Sequence, residues 1–280
     1  MKGNRVNKKI TSRLRSPFVL ILLTAALGAG FRVSAAQSSI TVTPTEREIE
    51  KQRLRLTSAE EEERRDAVMR LGALHLPAAS RVCLPALADA APMIRAVAAK
   101  AILSLGPEES SGALIPLLND KDEFVRRETA YALGLTHSRT ATSALGDRLI
   151  NDKEDGVRGA AAVALGEIAD EGAVVTLVGV LESQSSPQSK AKSKRKNERN
   201  HFVLRAVAAA LGRIRSRAAV PALIATLTNE TLPDDVRREA ARALGLIGDP
   251  AALPALRIVS SAGDPHLSRL AFESLRKISP

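Results

Sequence analysis

The chain is poor in the residues that most often mark a chemical site. Of its 280 residues one is cysteine, none is tryptophan, and the aromatics make up 2%. A single cysteine excludes an intrachain disulfide, and Cys83, beside Val82 and Leu84 on an apolar helical face, reads as core filler. The four histidines, His75, His137, His201 and His266, form no H-x-x-x-H or H-E-x-x-H pair and no Cys/His cluster at metal-ligand spacing. His137 reads as a turn residue, and His266 lies near a helix start. No serine elbow, Cys/His pair or glycine-rich phosphate loop is present, and Ser110-Ser111-Gly112 reads as a loop and cap before a helix containing Pro116. These absences leave no catalytic residue, no cofactor site and no metal site to nominate.

The formal net charge of +10 is unevenly placed. Residues 1–36 hold seven of the 41 basic side chains and none of the 31 acids, so the remainder carries only +3. That first segment runs from Lys2, Arg5, Lys8, Lys9, Arg13 and Arg15 into an apolar stretch, Phe18–Gly30, and on to Ser34-Ala35-Ala36. This is the order of a secretory signal peptide, with cleavage after Ala36 and no transmembrane segment in the mature chain. The alternative is an uncleaved membrane anchor, against which Arg32 interrupts the run short of about 20 apolar residues. An exported protein, periplasmic or secreted, is expected. Residues 183–200 add six positive charges and one negative, and the rest of the body is close to neutral, so nucleic acid is not an expected partner.

What the chain does have is a period. Residues 37–57 read as a polar lead and a charged capping helix, with Thr45 and Glu48 spaced as a capping box. From 58 to 280 a leucine-like anchor recurs at Leu71, Ile102, Leu133, Leu165, Leu211, Leu244 and Leu275, spaced 31, 31, 32, 46, 33 and 31 residues apart. The long interval contains the low-complexity segment 183–200, read as a disordered basic insertion. Around the anchors the apolar residues follow helical spacing: Val236, Ala240, Ala243, Leu244 and Ile247 share one stripe, Gly248 can end the helix, and Asp249-Pro250 can begin the next. Pro85 and Pro116 come later after their anchors than Pro221 and Pro254 do, which predicts longer first helices in the first two pairs. Glycine follows the anchor at Gly72, Gly134, Gly166, Gly212 and Gly245. A mid-helix glycine costs about 1 kcal/mol relative to alanine, so its recurrence predicts a neighbouring backbone too close for a side chain. A two-helix unit of this size cannot bury its own apolar face, and stacking of units follows.

The units D-E-F-V-R-R-E-T-A-Y-A-L-G (122–134), D-G-V-R-G-A-A-A-V-A-L-G-E-I (155–168) and D-D-V-R-R-E-A-A-R-A-L-G-L-I-G-D (234–249) resemble HEAT repeats of the type named after phycobilisome bilin lyases. The resemblance covers about 58–280. It implies an all-α, right-handed α-solenoid of about six helix pairs with a terminal capping helix. It also implies structural ties between units through Asp122 with Arg126, Asp155 with Arg158, and Asp234 with Arg237. Leu204 and Ser268 take the arginine's place in the fifth and last units. Arrays of this type serve as scaffolds, adaptors, lyase subunits and other enzymes, and the His-Glu steps of HEAT-like di-iron hydroxylases are missing here.

Recurring carboxylates such as Glu128, Glu167 and Glu239 follow the repeat, which favours solvated faces or ties between units over one acid/base pair. The functional expectation is a non-catalytic scaffold for another protein in the cell envelope or exported compartment. Its rivals are an enzyme or enzyme subunit resembling bilin lyases, and an adaptor meeting an anionic envelope surface through Lys190, Lys192, Lys194, Arg195, Lys196 and Arg199. For a protein partner, the concave face lined by second helices offers Arg139, Arg148 and Arg257. Past residue 36 only Phe124, Tyr131, Phe202 and Phe272 are aromatic, so binding anchors are few, and Tyr131 reads as filling a local gap.

Overall fold

The computed structural model describes residues 43–185, 194–261 and 263–279, with side chains of 184–200 excepted. The proposed signal segment, the Ala36 cut, Lys190 and Lys192 lie outside the described residues. Among the described residues fourteen α-helices follow one another: α1 (Pro44–Arg55), α2 (Glu61–Ala73), α3 (Pro77–Cys83), α4 (Pro92–Ala101), α5 (Pro107–Leu114), α6 (Glu123–Thr136), α7 (Thr142–Asn151), α8 (Asp155–Ile168), α9 (Val174–Ser185), α10 (Lys194–Ile214), α11 (Val220–Thr228), α12 (Asp234–Ile247), α13 (Leu253–Val259) and α14 (Pro265–Ile278). The even-numbered helices stack in chain order as one layer, and the odd-numbered ones form a second layer against them. The result is an all-α solenoid of sequential helix pairs. Counted from α2 there are six pairs, with α1 closing one end and α14 the other.

The anchors run along the first layer. Leu71, Ile102, Leu133, Leu165, Leu211 and Leu244 are fully buried, and Leu275, on the last helix with no following neighbour, is half-buried. Each fully buried leucine contributes roughly 1.5–3 kcal/mol, so the anchors and their partners in the second layer make one continuous core. Cys83 is completely buried in that core, and burial pushes its thiol up to about 12. Tyr131 packs half-buried against the same core.

The glycines that follow the anchors sit where successive first-layer helices come closest. A Cβ on Gly134 would lie 2.9 Å from Ala164 Cα, one on Gly166 2.8 Å from Ala210 Cα, and one on Gly212 2.8 Å from Ala243 Cα. In each case the opposing alanine stands one residue before the next anchor, so a Gly–Ala contact sets the spacing between units. The exception is α4, where Leu103 replaces glycine after the anchor; α4 ends at Ala101 and residues 102–104 form a turn.

Helix ends follow local chemistry, with three departures from expectation. The capping box uses Thr43 and Glu46 rather than Thr45 and Glu48: Glu46 N donates to Thr43 Oγ1 at 3.2 Å and Thr43 N to Glu46 Oε2 at 2.7 Å, because Pro44 occupies the first helical position, where no N–H is needed. The first helices of the early pairs are not longer. Instead α3 and α5 start early at Pro77 and Pro107, and Pro85 and Pro116 fall in 3-10 turns, Leu84–Ala88 and Ile115–Asn119, that proline imposes on their ends. Ser110 and Ser111 lie inside α5, fully buried, with Ser110 Oγ donating to Ile102 O at 3.1 Å and Ser111 2.9 Å from Thr136 Oγ1. Gly248 ends α12 in the left-handed region, and Asp249 caps the 3-10 turn leading into α13. Of the segment 183–200, residues 183–185 belong to α9 and 194–200 to the backbone of α10.

Replacing Gly166 by leucine is expected to destabilise the protein by about 3 kcal/mol, because the backbone of Ala210 cannot retreat. For a protein of this size that lowers Tm by roughly 6–12 °C. Gly179→Leu, at a mid-helix glycine with open space above it, is the control and should not lower Tm, since leucine is the better helix former.

Candidate interaction surfaces

The arginines of the first layer are mostly consumed by ties between units. Arg64, Arg95 and Arg126 each grip the aspartate of the next connection with a two-pronged guanidinium: Asp89 at 2.8 and 3.0 Å, Asp120 at 2.7 and 2.8 Å, Asp152 at 2.8 and 2.9 Å. The remaining nitrogen of each reaches back to carbonyls before its own helix, Arg95 to Asp89 O at 2.8 Å and Arg126 to Asp120 O at 2.9 Å. The aspartates also accept the N–H two residues on, so Asp89, Asp120 and Asp152 each join a turn to a neighbouring unit. Burial works against the charge of Asp152, but the Arg126 fork and the Glu154 N–H hold its carboxyl below the ordinary range.

This ladder corrects the pairs that the family pattern implied. Asp122 caps its own helix, accepting from Phe124 N and Val125 N, while Arg126 passes it by for Asp152. Arg158 and Arg237 do meet Asp155 and Asp234, at 3.1 and 3.2 Å, but within one helix; their other bonds go to Leu149 O and Leu227 O of the preceding second-layer helix. In the α12 unit the second arginine of Val-Arg-Arg, Arg238, makes the tie, to Asp264 at 2.7 and 2.9 Å. Arg205 reaches Asp235 at 3.0 Å. Between α8 and α10 the forked tie gives way to other contacts: Arg213 pairs with Glu167, Ser216 Oγ donates to Glu171 at 2.5 Å, and the Phe202 ring packs directly on the backbone of Gly159. Glu128 is likewise tied across units, to Lys100 at 2.8 Å, whereas Glu239 pairs with Arg242 inside α12.

The candidate arginines do not converge. Arg139 is exposed in the turn before α7, Arg148 lies half-buried near the other end of α7 beside Asp147, and Arg257 is exposed on α13, with α9 and α11 in between. Lys194, Arg195, Lys196 and Arg199 belong to the first two turns of α10. His137 ends α6 with a positive φ and donates from Nδ1 to Glu167 O at 2.8 Å, and Asp264 rather than His266 caps α14. Among the described residues no three metal-ligating side chains cluster, and no helix is long and apolar enough to cross a membrane.

Two surfaces stand apart from this network. On α9, α11 and α13, which lie side by side, the exposed positions carry Val175, Gly179, Ala225 and Ile258, with Val178 and Ile224 half-buried against the core beside them. Val175 is 84% exposed and Ile258 72%, and Glu182 and Arg257 are the only charged residues with described side chains on these three helices. The other surface is a cleft of about 450 Å³ between α2 and α4. Its walls include Val68, Met69, Ala73, Val97 and Leu103, with His75, Lys100 and Ser104 at its polar positions. Sequence reading missed both, although Leu103 in place of the repeated glycine was a signal for the cleft.

The family of HEAT repeats matches residues 51–134, 111–193 and 195–278. The chain is a HEAT-repeat protein. No curated protein sequence matches it. Among solved structures, the Escherichia coli protein YibA is 18% identical, with 83% of this chain and 81% of that chain covered and a TM-score of 0.54. The CpcE–CpcF complex of phycocyanin lyase from Nostoc sp. PCC7120 is 23% identical over 87% of this chain and 89% of that one, with a TM-score of 0.48. Human deoxyhypusine hydroxylase is 22% identical over 84% and 96%, with a TM-score of 0.40. Similarity at these identities is one of fold.

The ladder makes the HEAT-repeat solenoid acid-sensitive in a defined direction. The Arg238 fork, with the His266 and Leu267 N–H groups, lowers the Asp264 carboxyl from 3.8 to about 2. A carboxyl depressed on folding adds stability above its unfolded value and loses it as the pH falls through the folded one. Melts of the wild type should therefore weaken between about pH 4 and pH 2, and Asp264→Asn should show a lower Tm at pH 6 with a shallower loss across that window.

Proposed function

We propose that this HEAT-repeat protein is exported and acts as a non-catalytic scaffold that holds another protein on the second-layer face of α9, α11 and α13. The observation that carries the reading is the near absence of charge on that face combined with strongly exposed aliphatics, in a chain whose first-layer helices carry many paired charges. Exposed aliphatic patches on a solenoid otherwise rich in ion pairs are the usual mark of a protein contact. Export rests on the basic start, apolar run and small residues of 1–36.

The second reading, an adaptor on an anionic envelope surface, draws on the six basic residues of 183–200. It differs from the first in its salt dependence, because contacts of exposed polycations are screened. A lyase-like activity remains the catalytic rival and would bring saturable absorbance changes on titration with a tetrapyrrole.

A cross-linking pull-down from the exported fraction of the source cells separates them, using as baits the full chain, a Gly179→Glu variant and a variant in which Lys190, Lys192, Lys194, Arg195, Lys196 and Arg199 are all replaced by glutamine. The scaffold reading expects one protein captured at high salt by the full chain and by the glutamine variant, and lost with Gly179→Glu. Capture only at low salt and only with the six basic residues present would transfer the function to the basic segment.

A further inference from the structure

We propose that the cleft between α2 and α4 is a binding site for a medium-chain fatty carboxylate, its hydrocarbon between the two helices and its carboxylate at Lys100. The cleft exists because one position of the repeat is left unfilled. At the α6–α8 joint the places of Met69 and Ala73 are taken by Tyr131 and Leu135, and His137 closes onto Glu167 O. At the α8–α10 and α10–α12 joints the residue two past the next anchor folds over the glycine: Arg213 Cδ would lie 3.5 Å from a Cβ on Gly166, and Leu246 Cδ1 3.4 Å from one on Gly212. At α2–α4 that residue is Ser104, too short to reach across, and it stands in the turn where α4 has already ended. Gly72 accordingly has only Ala101 against it.

The chemistry of the lining selects the ligand. The walls are hydrocarbon and thioether, the volume of about 450 Å³ falls in the range of small-molecule pockets, and no carboxylate lines the cleft. Its one charged group is Lys100, whose side chain is 57% exposed. Glu128 holds Lys100 at 2.8 Å and is itself 3.5 Å from Arg127, so two cations share one anion and the group keeps a net positive charge. An ammonium has three donors, and one carboxylate does not exhaust them. An apolar tail with an anionic head satisfies both halves of the site.

The test is calorimetric titration of the full chain with dodecanoate below its micellar concentration, with thermal melts confirming that each variant folds. The wild type should bind one equivalent saturably. Ala73→Phe, which places at α2 a bulk comparable to that of Leu135 in α6, should weaken binding more than tenfold, and Lys100→Met should weaken it about tenfold, the loss of one charged hydrogen bond. Gly112→Ala, on α5 at a glycine with open space above it, should change nothing. Absence of saturable binding, or binding that both cleft variants leave intact, overturns the site. Loss with Ala73→Phe but none with Lys100→Met overturns the assignment of the carboxylate.

Discussion

The closest approach of successive first-layer helices, glycine against alanine, governs the rest of the solenoid. With a Cβ on Gly166 only 2.8 Å from Ala210 Cα, the spacing between units is set by backbone rather than by side chains. Side chains then have to fit around that spacing. Leucine anchors fill the seam between layers, alanines such as Ala160, Ala161 and Ala162 occupy the buried face where nothing larger fits, and long side chains are driven to the edges. The arginine ladder is the edge solution. Each guanidinium bridges two connections whose separation is already fixed by the helix stack, so the fork pays little additional ordering entropy.

Because the ladder and the stack are coupled, the long insertion falls where the coupling can be spared. The connection between α9 and α10 would supply the aspartate for Arg158, and Arg158 instead turns back to Leu149 O and Asp155. The joint is held by other means: Gly166 against Ala210, Phe202 on Gly159, and Arg213 with Glu167. The α8–α10 joint therefore keeps its packing without a forked tie from Arg158.

The sequence made the period, the anchors, the glycines and the layer order readable, since each is encoded within about 30 residues by apolar spacing and by one small residue. It did not reveal which aspartate an arginine would choose. Asp122 and Asp152 are both carboxylates available to Arg126, and the choice is made by helix-stack geometry across 26 residues, not by the local motif. The same geometry decides that Arg126, first in its Val-Arg-Arg, makes the tie in one unit and Arg238, second in its own, makes it in another. Proline was misleading in α3 and α5 because its position was read as a helix start, while Pro85 and Pro116 bend helices that began eight and nine residues earlier.

A repeat protein advertises function where it departs from its own pattern, since whatever recurs in every unit is sufficiently explained by stacking. Most departures here have structural answers: Leu204 in the arginine's place is buried in the core, and Tyr131 packs half-buried against it. Leu103 is different. It stands where other units keep glycine, in the turn that ends α4 early, and its half-buried side chain lines the α2–α4 cleft while packing against the core. The aliphatic face of α9, α11 and α13 is likewise unexplained by stacking, because Val175 and Ile258 touch solvent where a polar residue would serve the fold equally well. These two surfaces lie on opposite layers of the solenoid, so occupying one does not obstruct the other.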